Sequence, residues 1–245
     1  MAVAMTAAFA LAAGCGGGDQ GTSASTSSST SPSTTSTTST SSTTTTTTTT
    51  SPARTAATLR RALLALKDLP AGFEIDKDGA DEEGDETITS TRPGCKALVR
   101  LLNADELPGS LAAADVAFSG GADGPFIEET LDGFGSADAA KGFVGGFRTA
   151  VTSCSALTYT VPGIGRSTLK VREVSFADLG DDSFAARFTA DSGALEGFEL
   201  IQVAAQTGDV VLGMTCVQTD PSDAEAATED ALAKVEATLG TSRDA

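Results

Sequence analysis

Apolar residues recur at helical spacing in four segments and at alternate positions in six others, and these two periods divide the chain from about residue 55 onward. The first helical pattern covers about Thr55 to Lys67, with Leu59, Leu63 and Leu66 on one face, and Pro70 and Gly72 end it. A short helix follows Pro93-Gly94-Cys95 and carries Leu98, Leu101 and Leu102. The third starts at Ser136 as N-cap and aligns Ala140, Phe143, Phe147, Val151 and Cys154. The fourth has Asp220 as N-cap, Pro221 at its first position, Ala224, Ala231, Val235 and Leu239 inside, and Gly240 as its stop.

The period of two predicts strands at Ala113–Ser119 and Phe126–Phe134, joined across Gly120-Gly121-Ala122-Asp123-Gly124. A third lies at Thr168–Phe176, where lost alternation near Glu173-Val174 predicts a bulge. In the fourth, Phe184, Ala186 and Phe188 point one way and Arg187 and Thr189 the other. Phe198–Ala205 and Val210–Val217 flank the turn Thr207-Gly208-Asp209 as a second hairpin. Tyr159 is expected on a strand, half-buried. The sum is an α+β domain with a mainly antiparallel sheet and the third and fourth helices packed on one face.

Upstream the pattern changes twice. Ala2 to Ala13 is an apolar run of signal-peptide length, too short to span a bilayer. It ends in Leu11-Ala12-Ala13-Gly14-Cys15-Gly16-Gly17-Gly18, which resembles the lipobox of bacterial lipoproteins. The resemblance implies cleavage before Cys15 and lipidation of its thiol; two or more acyl chains then give stable membrane anchoring. No Lys or Arg precedes the run, so a translation start further upstream is expected. Residues 22 to 51 are almost all Ser and Thr, with no side chain able to build a core. This tract resembles an O-glycosylated stalk, about 30 Å end to end as a coil and roughly 100 Å fully extended. The expected organisation is therefore a signal peptide over 1–14, a lipidated Cys15 with its stalk over 15–52, and a globular domain over 53–245.

Charge and missing residue types narrow the chemistry. The formal charge is −17, and only Asp19 of it lies before residue 53, so the domain itself is strongly acidic. That argues against nucleic acid as a partner. The chain has no His and no Trp and a single Tyr. Ser-His-Asp and Cys-His catalysis are excluded, and stacking platforms for sugars or bases are scarce. No GxxxxGK[ST] loop and no GxSxG elbow occur, and no cofactor is expected.

Excluding Cys15, the domain holds Cys95, Cys154 and Cys216, which allow three pairings. Cys216 shares a strand face with Val210, Leu212 and Met214 and is expected as a buried thiol. Cys95 and Cys154, at the start of one helix and the end of another, are the expected disulfide. The acidic run from Asp76 to Glu86 does not fit an EF-hand: Asp81 stands where Gly is required and Thr87 where the last Glu belongs. It is expected as a solvated loop, and no metal site is expected. Asp181 and Asp182 are expected in a turn ahead of the Phe184 strand rather than as a catalytic pair, because adjacent side chains diverge. Arg166, Lys170 and Arg172 are expected on an exposed strand edge, or else as a basic patch in a groove.

Taken in order, Leu69-Pro70-Ala71-Gly72-Phe73, Cys95, a helix ending at Cys154, and Leu179-Gly180-Asp181-Asp182-Ser183 leading into Ala185-Ala186-Arg187 resemble the extracellular sensor domains of PknH-type mycobacterial serine/threonine kinases. Lipoproteins that share this domain are part of the same resemblance, which covers about residues 58–240. It implies an α+β domain with an antiparallel sheet and a groove open to solvent. Three domain cysteines cannot supply the two disulfides that the kinase sensor implies. The expected function is that of a non-catalytic, lipid-anchored, extracytoplasmic ligand-binding or sensor-like domain of an actinobacterial cell envelope. Its partners would be the membrane, through the lipid, and a small molecule, lipid or envelope protein. The alternatives are a carrier of lipid or cell-wall precursor, or a carboxylate-dependent envelope hydrolase.

Overall fold

The computed structural model describes residues 54–77, 86–122 and 124–241. The expected signal peptide, Cys15, the Ser/Thr tract and most of the acidic run lie outside these residues. Nine strands form one antiparallel sheet: β1 Glu74–Ile75, β2 Thr87–Thr89, β3 Ala112–Ser119, β4 Phe126–Gly133, β5 Ala156–Val161, β6 Gly165–Val174, β7 Asp182–Gly193, β8 Glu199–Thr207 and β9 Val210–Val217. Their spatial order is β1-β3-β4-β9-β8-β7-β6-β5-β2. Among the described residues four α-helices complete the fold: α1 Ala56–Arg60, α2 Lys96–Leu102, α3 Ala137–Thr152 and α4 Pro221–Leu239.

Side-chain alternation sends the strands' apolar residues to both faces, so the sheet is covered on both. In β9, Leu212, Met214 and Cys216 join α1 and α4 in one core, whereas Val211 and Val217 join α2 and α3 in the other. The expectation of α3 and α4 on one face is therefore corrected. β8 and β9 are buried strands whose near-continuous apolar runs feed two cores, and a helix must cover each side. The α+β class and the antiparallel sheet stand as expected.

Two local differences have physical causes. The first helical pattern forms a short α-helix, with Thr55 and Thr58 as a reciprocal cap; the chain opens after Arg60, and only a 3-10 turn follows at Leu66–Asp68. There the Leu64 N–H turns to Glu129 Oε2 at 2.6 Å, and the Ala65 N–H to Asp68 Oδ2 at 2.9 Å. Two carboxylates thus take donors that a continued helix would have used. Leu66 is left exposed instead of joining the core. The bulge in β6 falls between Ser167 and Leu169 rather than near Glu173. Ser167 Oγ there accepts the Leu195 N–H at 2.9 Å, which ties the irregularity to the β7–β8 connection.

The helices flanking the sheet form as their caps dictate. Ser136 Oγ accepts the Ala139 N–H at 3.2 Å to start α3. Gly240, at φ 67°, ends α4 in the left-handed conformation that suits glycine. Cys95 and Cys154 form the expected disulfide, joining the turn before α2 to the second residue after α3. Cys216 is a free, buried thiol whose ionisation burial pushes up to about 12.

Candidate functional site

A groove of about 680 Å³ runs between α2 and α3, within the range usual for small-molecule sites. Ala97, Leu101, Phe143, Phe147 and Ala150 give it apolar walls, Pro108 closes one end, and Arg100 is the only charged residue lining it among the described residues. The other end is pinned. The Cys95–Cys154 disulfide holds the two helices together there. A Cβ on Gly94 would lie 2.5 Å from the Ser153 carbonyl oxygen, so only glycine permits this approach.

The wall supplied by α3 is unusual in composition. Gly142, Gly145 and Gly146 all line the groove. Each interior helical glycine costs roughly 0.5–1 kcal/mol relative to alanine. Glycines in helices commonly allow a neighbour to pack closely, yet a Cβ built on any of these three meets nothing within 4 Å. The domain's own packing therefore does not account for them. Another stripe of the same helix, Ala140, Val144 and Val151, is buried, and Phe147 stands between it and the groove. Phe143 packs on Phe134 and Phe147 on Phe184, which fixes how α3 sits.

A second cluster, outside the groove lining, lies towards the β3–β4 edge of the sheet. In the β3–β4 register Ala117 faces Glu128 and Asp115 faces Thr130, so Asp115 and Glu128 are diagonal neighbours on one face. Burial, and then the Asp115 charge, raise the Glu128 carboxyl to about 7. Asp132, two strand periods further on, is raised to about 6 by burial, against a hydrogen bond from Ser110 and with the charges of Glu106 and Asp115 adding to the rise. A carboxyl that keeps its proton near neutrality can act as an acid. None of these carboxyls lines the α2–α3 groove.

The sequence-predicted residues take separate places. Asp181 Oδ2 accepts the Gly208 N–H at 2.7 Å, while Asp182 pairs with Arg148 at 2.6 Å. The two carboxylates thus serve two different contacts at a turn. Gly180 before them, at φ 63°, would place a Cβ 2.2 Å from the Gln206 carbonyl oxygen. Arg166, Lys170 and Arg172 stand on the exposed side of β6, which lies between β5 and β7 and is not an edge strand. Lys170 pairs with Asp191. Tyr159 is fully buried rather than half-buried, and its hydroxyl donates to Glu86. Its ring packs on Phe198. Among the described residues no group of three or more His, Cys, Asp and Glu side chains is arranged to hold a metal ion. The resemblance implied a groove but not its place between α2 and α3, for which three glycines inside one amphipathic helix were the available sign.

An antiparallel sheet clad by helices on both faces, with a disulfide-pinned groove between two of them, defines an α+β domain. Residues 54–234 match the family described as PknH-like extracellular domain, and the chain belongs to that family. The fold is similar to the crystal structure of the extracellular domain of PknH from Mycobacterium tuberculosis. The TM-score is 0.58 at 15% identity, over 78% of this chain and 100% of that one. No curated protein matches the chain. The family is one of extracellular sensor domains, which gives this domain an extracytoplasmic location. No helix among the described residues is long and apolar enough to cross a membrane.

Proposed function

We propose that this chain is a non-catalytic, extracytoplasmic ligand-binding domain that takes its ligand in the α2–α3 groove and is tethered to the cell membrane by lipid on Cys15. The observation that carries the reading is the glycine wall of α3. Three helical glycines retain a stability cost that no contact within the domain explains, and all three face one apolar groove. A bound molecule lying against the helix backbone accounts for them. The disulfide adds to this, because it fixes the groove's width before a ligand arrives, and a preformed site binds at lower cost.

Catalysis is not part of this reading. The adjacent carboxylates Asp181 and Asp182 are occupied in structural contacts, and the raised Glu128 and Asp132 carboxyls lie away from the groove lining. The tether rests on the lipobox-like run ending in Cys15 and on the long Ser/Thr spacer behind it.

Native mass spectrometry of the chain purified from the envelope of an actinobacterial host tests both parts. The expected result is a non-covalent adduct on the wild type that is lost in Gly146→Leu, together with a lipid mass on the peptide beginning at Cys15. An adduct that persists in Gly146→Leu, or none on either protein, overturns the groove as the site. An unmodified Cys15 overturns the tether.

A further inference from the structure

The charges around the groove run against those of the whole molecule. The chain carries 16 basic and 33 acidic side chains. Yet the segment from Arg92 to Leu102 contains Arg92, Lys96 and Arg100 and no acid, and α3 contains Lys141 and Arg148 against Asp138 alone. Arg92, Lys96, Arg100 and Lys141 are exposed and form no ion pair among the described residues. Arg148 is committed elsewhere, to Asp182 and to the face of the Phe184 ring. Glu106, in the loop that leads to Pro108, also adds to the rise of the Asp132 carboxyl. Arg92 donates to Ser155 Oγ, which leaves Lys96, Arg100 and Lys141 as exposed cations on the two groove helices, against Asp105 and Glu106 before Pro108 and Asp138 at the start of α3.

We infer that the groove binds an anionic lipid, with an acyl chain along the glycine wall of α3 and the charged headgroup at Arg100. The inference rests on the groove being the ligand site, and it adds the chemical class. The dimensions agree. From Ala139 to Ser153 the lining follows roughly 21 Å of helix at 1.5 Å per residue. One acyl chain spans about 15 Å, half of the hydrocarbon core of a bilayer. The walls offer few polar partners: besides Arg100, only Thr149 and Ser153 bring polar side chains. An apolar chain is therefore matched along the groove and a polar polymer is not. Lys96 stands one helical turn before Arg100, and Lys141 one turn before Gly145, so each shares a helix stripe with a lining residue, though neither lines the groove itself. These cations favour an anion over a zwitterion by charge complementarity, and salt weakens that preference.

The test is a calorimetric titration of the full chain, carrying Cys15→Ser so that no lipid of its own competes. The probes are lysophosphatidylglycerol and lysophosphatidylcholine, both kept below their micelle concentrations. Lysophosphatidylglycerol is expected to bind at least tenfold more tightly. Arg100→Ala is expected to weaken it fivefold or more while leaving lysophosphatidylcholine unchanged. Gly146→Leu, whose new side chain enters open space, is expected to abolish binding of both at an unchanged or higher melting temperature. Equal affinity for the two lipids overturns the anionic class, and loss of both in Gly146→Leu would still leave the groove as the site. Lipid binding that Gly146→Leu does not alter overturns this inference and the groove with it. Failure of both lipids to bind overturns the inference alone, since the envelope adduct described above reports on the groove independently.

Discussion

Glu129 accepts the Leu64 N–H at 2.6 Å from a position with no solvent exposure, and its second oxygen, Oε1, has no hydrogen-bond partner. One buried carboxyl thus shapes the end of α1 while half of its own bonding capacity stays unmet. Burial is the main cause of the rise of its pKa to about 7; the Leu64 hydrogen bond and the Lys234 charge work against the rise, and the Asp68 charge adds to it.

The sign of the consequence follows from linkage. In the unfolded chain this carboxyl releases its proton near 4.5, and in the folded domain near 7. Between those values the folded state holds the extra proton, so stability is greatest below 4.5 and falls as pH rises through 7. Glu128 and Asp132 contribute in the same direction. Glu129→Gln keeps an acceptor for Leu64 and removes the ionisation. Urea unfolding at pH 5 and pH 8 should show the wild type losing stability between them. The variant should be more stable at pH 8, by on the order of 2–3 kcal/mol. An identical pH slope in both proteins would remove Glu129 from this account.

Glycines at the two helices of the groove predict opposite outcomes. Gly94→Ala brings a Cβ to 2.5 Å from a backbone oxygen of Ser153, and neither backbone can yield cheaply next to a disulfide. A loss of about 1–3 kcal/mol is expected. Gly145→Ala meets nothing within 4 Å and should gain up to about 1 kcal/mol from helix propensity. Thermal unfolding of the two variants beside the wild type checks both. A destabilised Gly145→Ala would mean that something within the domain packs against that position.

Much of this architecture was legible because it depends on near neighbours in sequence. Ser136, Pro221 and Gly240 mark helix ends through contacts a few residues away, and the hairpins of β3–β4 and β8–β9 follow alternation across short turns. What depended on distant partners was not legible. The break after α1 needs Glu129, which is 65 residues away. The opposite placement of α3 and α4 depends on which side of β8 and β9 each helix meets. β1 and β2 are two and three residues long and sit at opposite edges of the sheet, too short to show a period. For the groove, sequence supplied the disulfide, but the meaning of Gly142, Gly145 and Gly146 required seeing that nothing packs on them.

The disulfide should matter to both fold and site. It links residues 59 apart, and closing a loop of that length stabilises by about 4 kcal/mol in the chain-entropy model, commonly less in practice. The double variant Cys95→Ala with Cys154→Ala is therefore expected to lose about 2–4 kcal/mol in urea unfolding. Because the bond also holds one end of the groove, the same variant should bind the envelope adduct more weakly at temperatures where it remains folded. Unchanged binding by a folded variant would show that contacts such as Gly94 on Ser153 suffice to set the groove.

Asp181 and Asp182 separate a structural turn from a catalytic pair. Asp181 holds the Gly208 N–H of the β8–β9 turn, and Asp182 holds Arg148 of α3, whose guanidinium also lies 5.5 Å over Phe184. Each contact is charge-assisted but partly exposed to solvent, which screens it. Asp181→Ala and Asp182→Ala should each cost about 1 kcal/mol. The double variant should cost close to the sum, because the two contacts tie the turn to different elements. The urea midpoint of unfolding measures this, and adduct binding at the α2–α3 groove should stay the same. A double variant with wild-type stability that abolished turnover of an envelope glycan would place these carboxylates in catalysis instead.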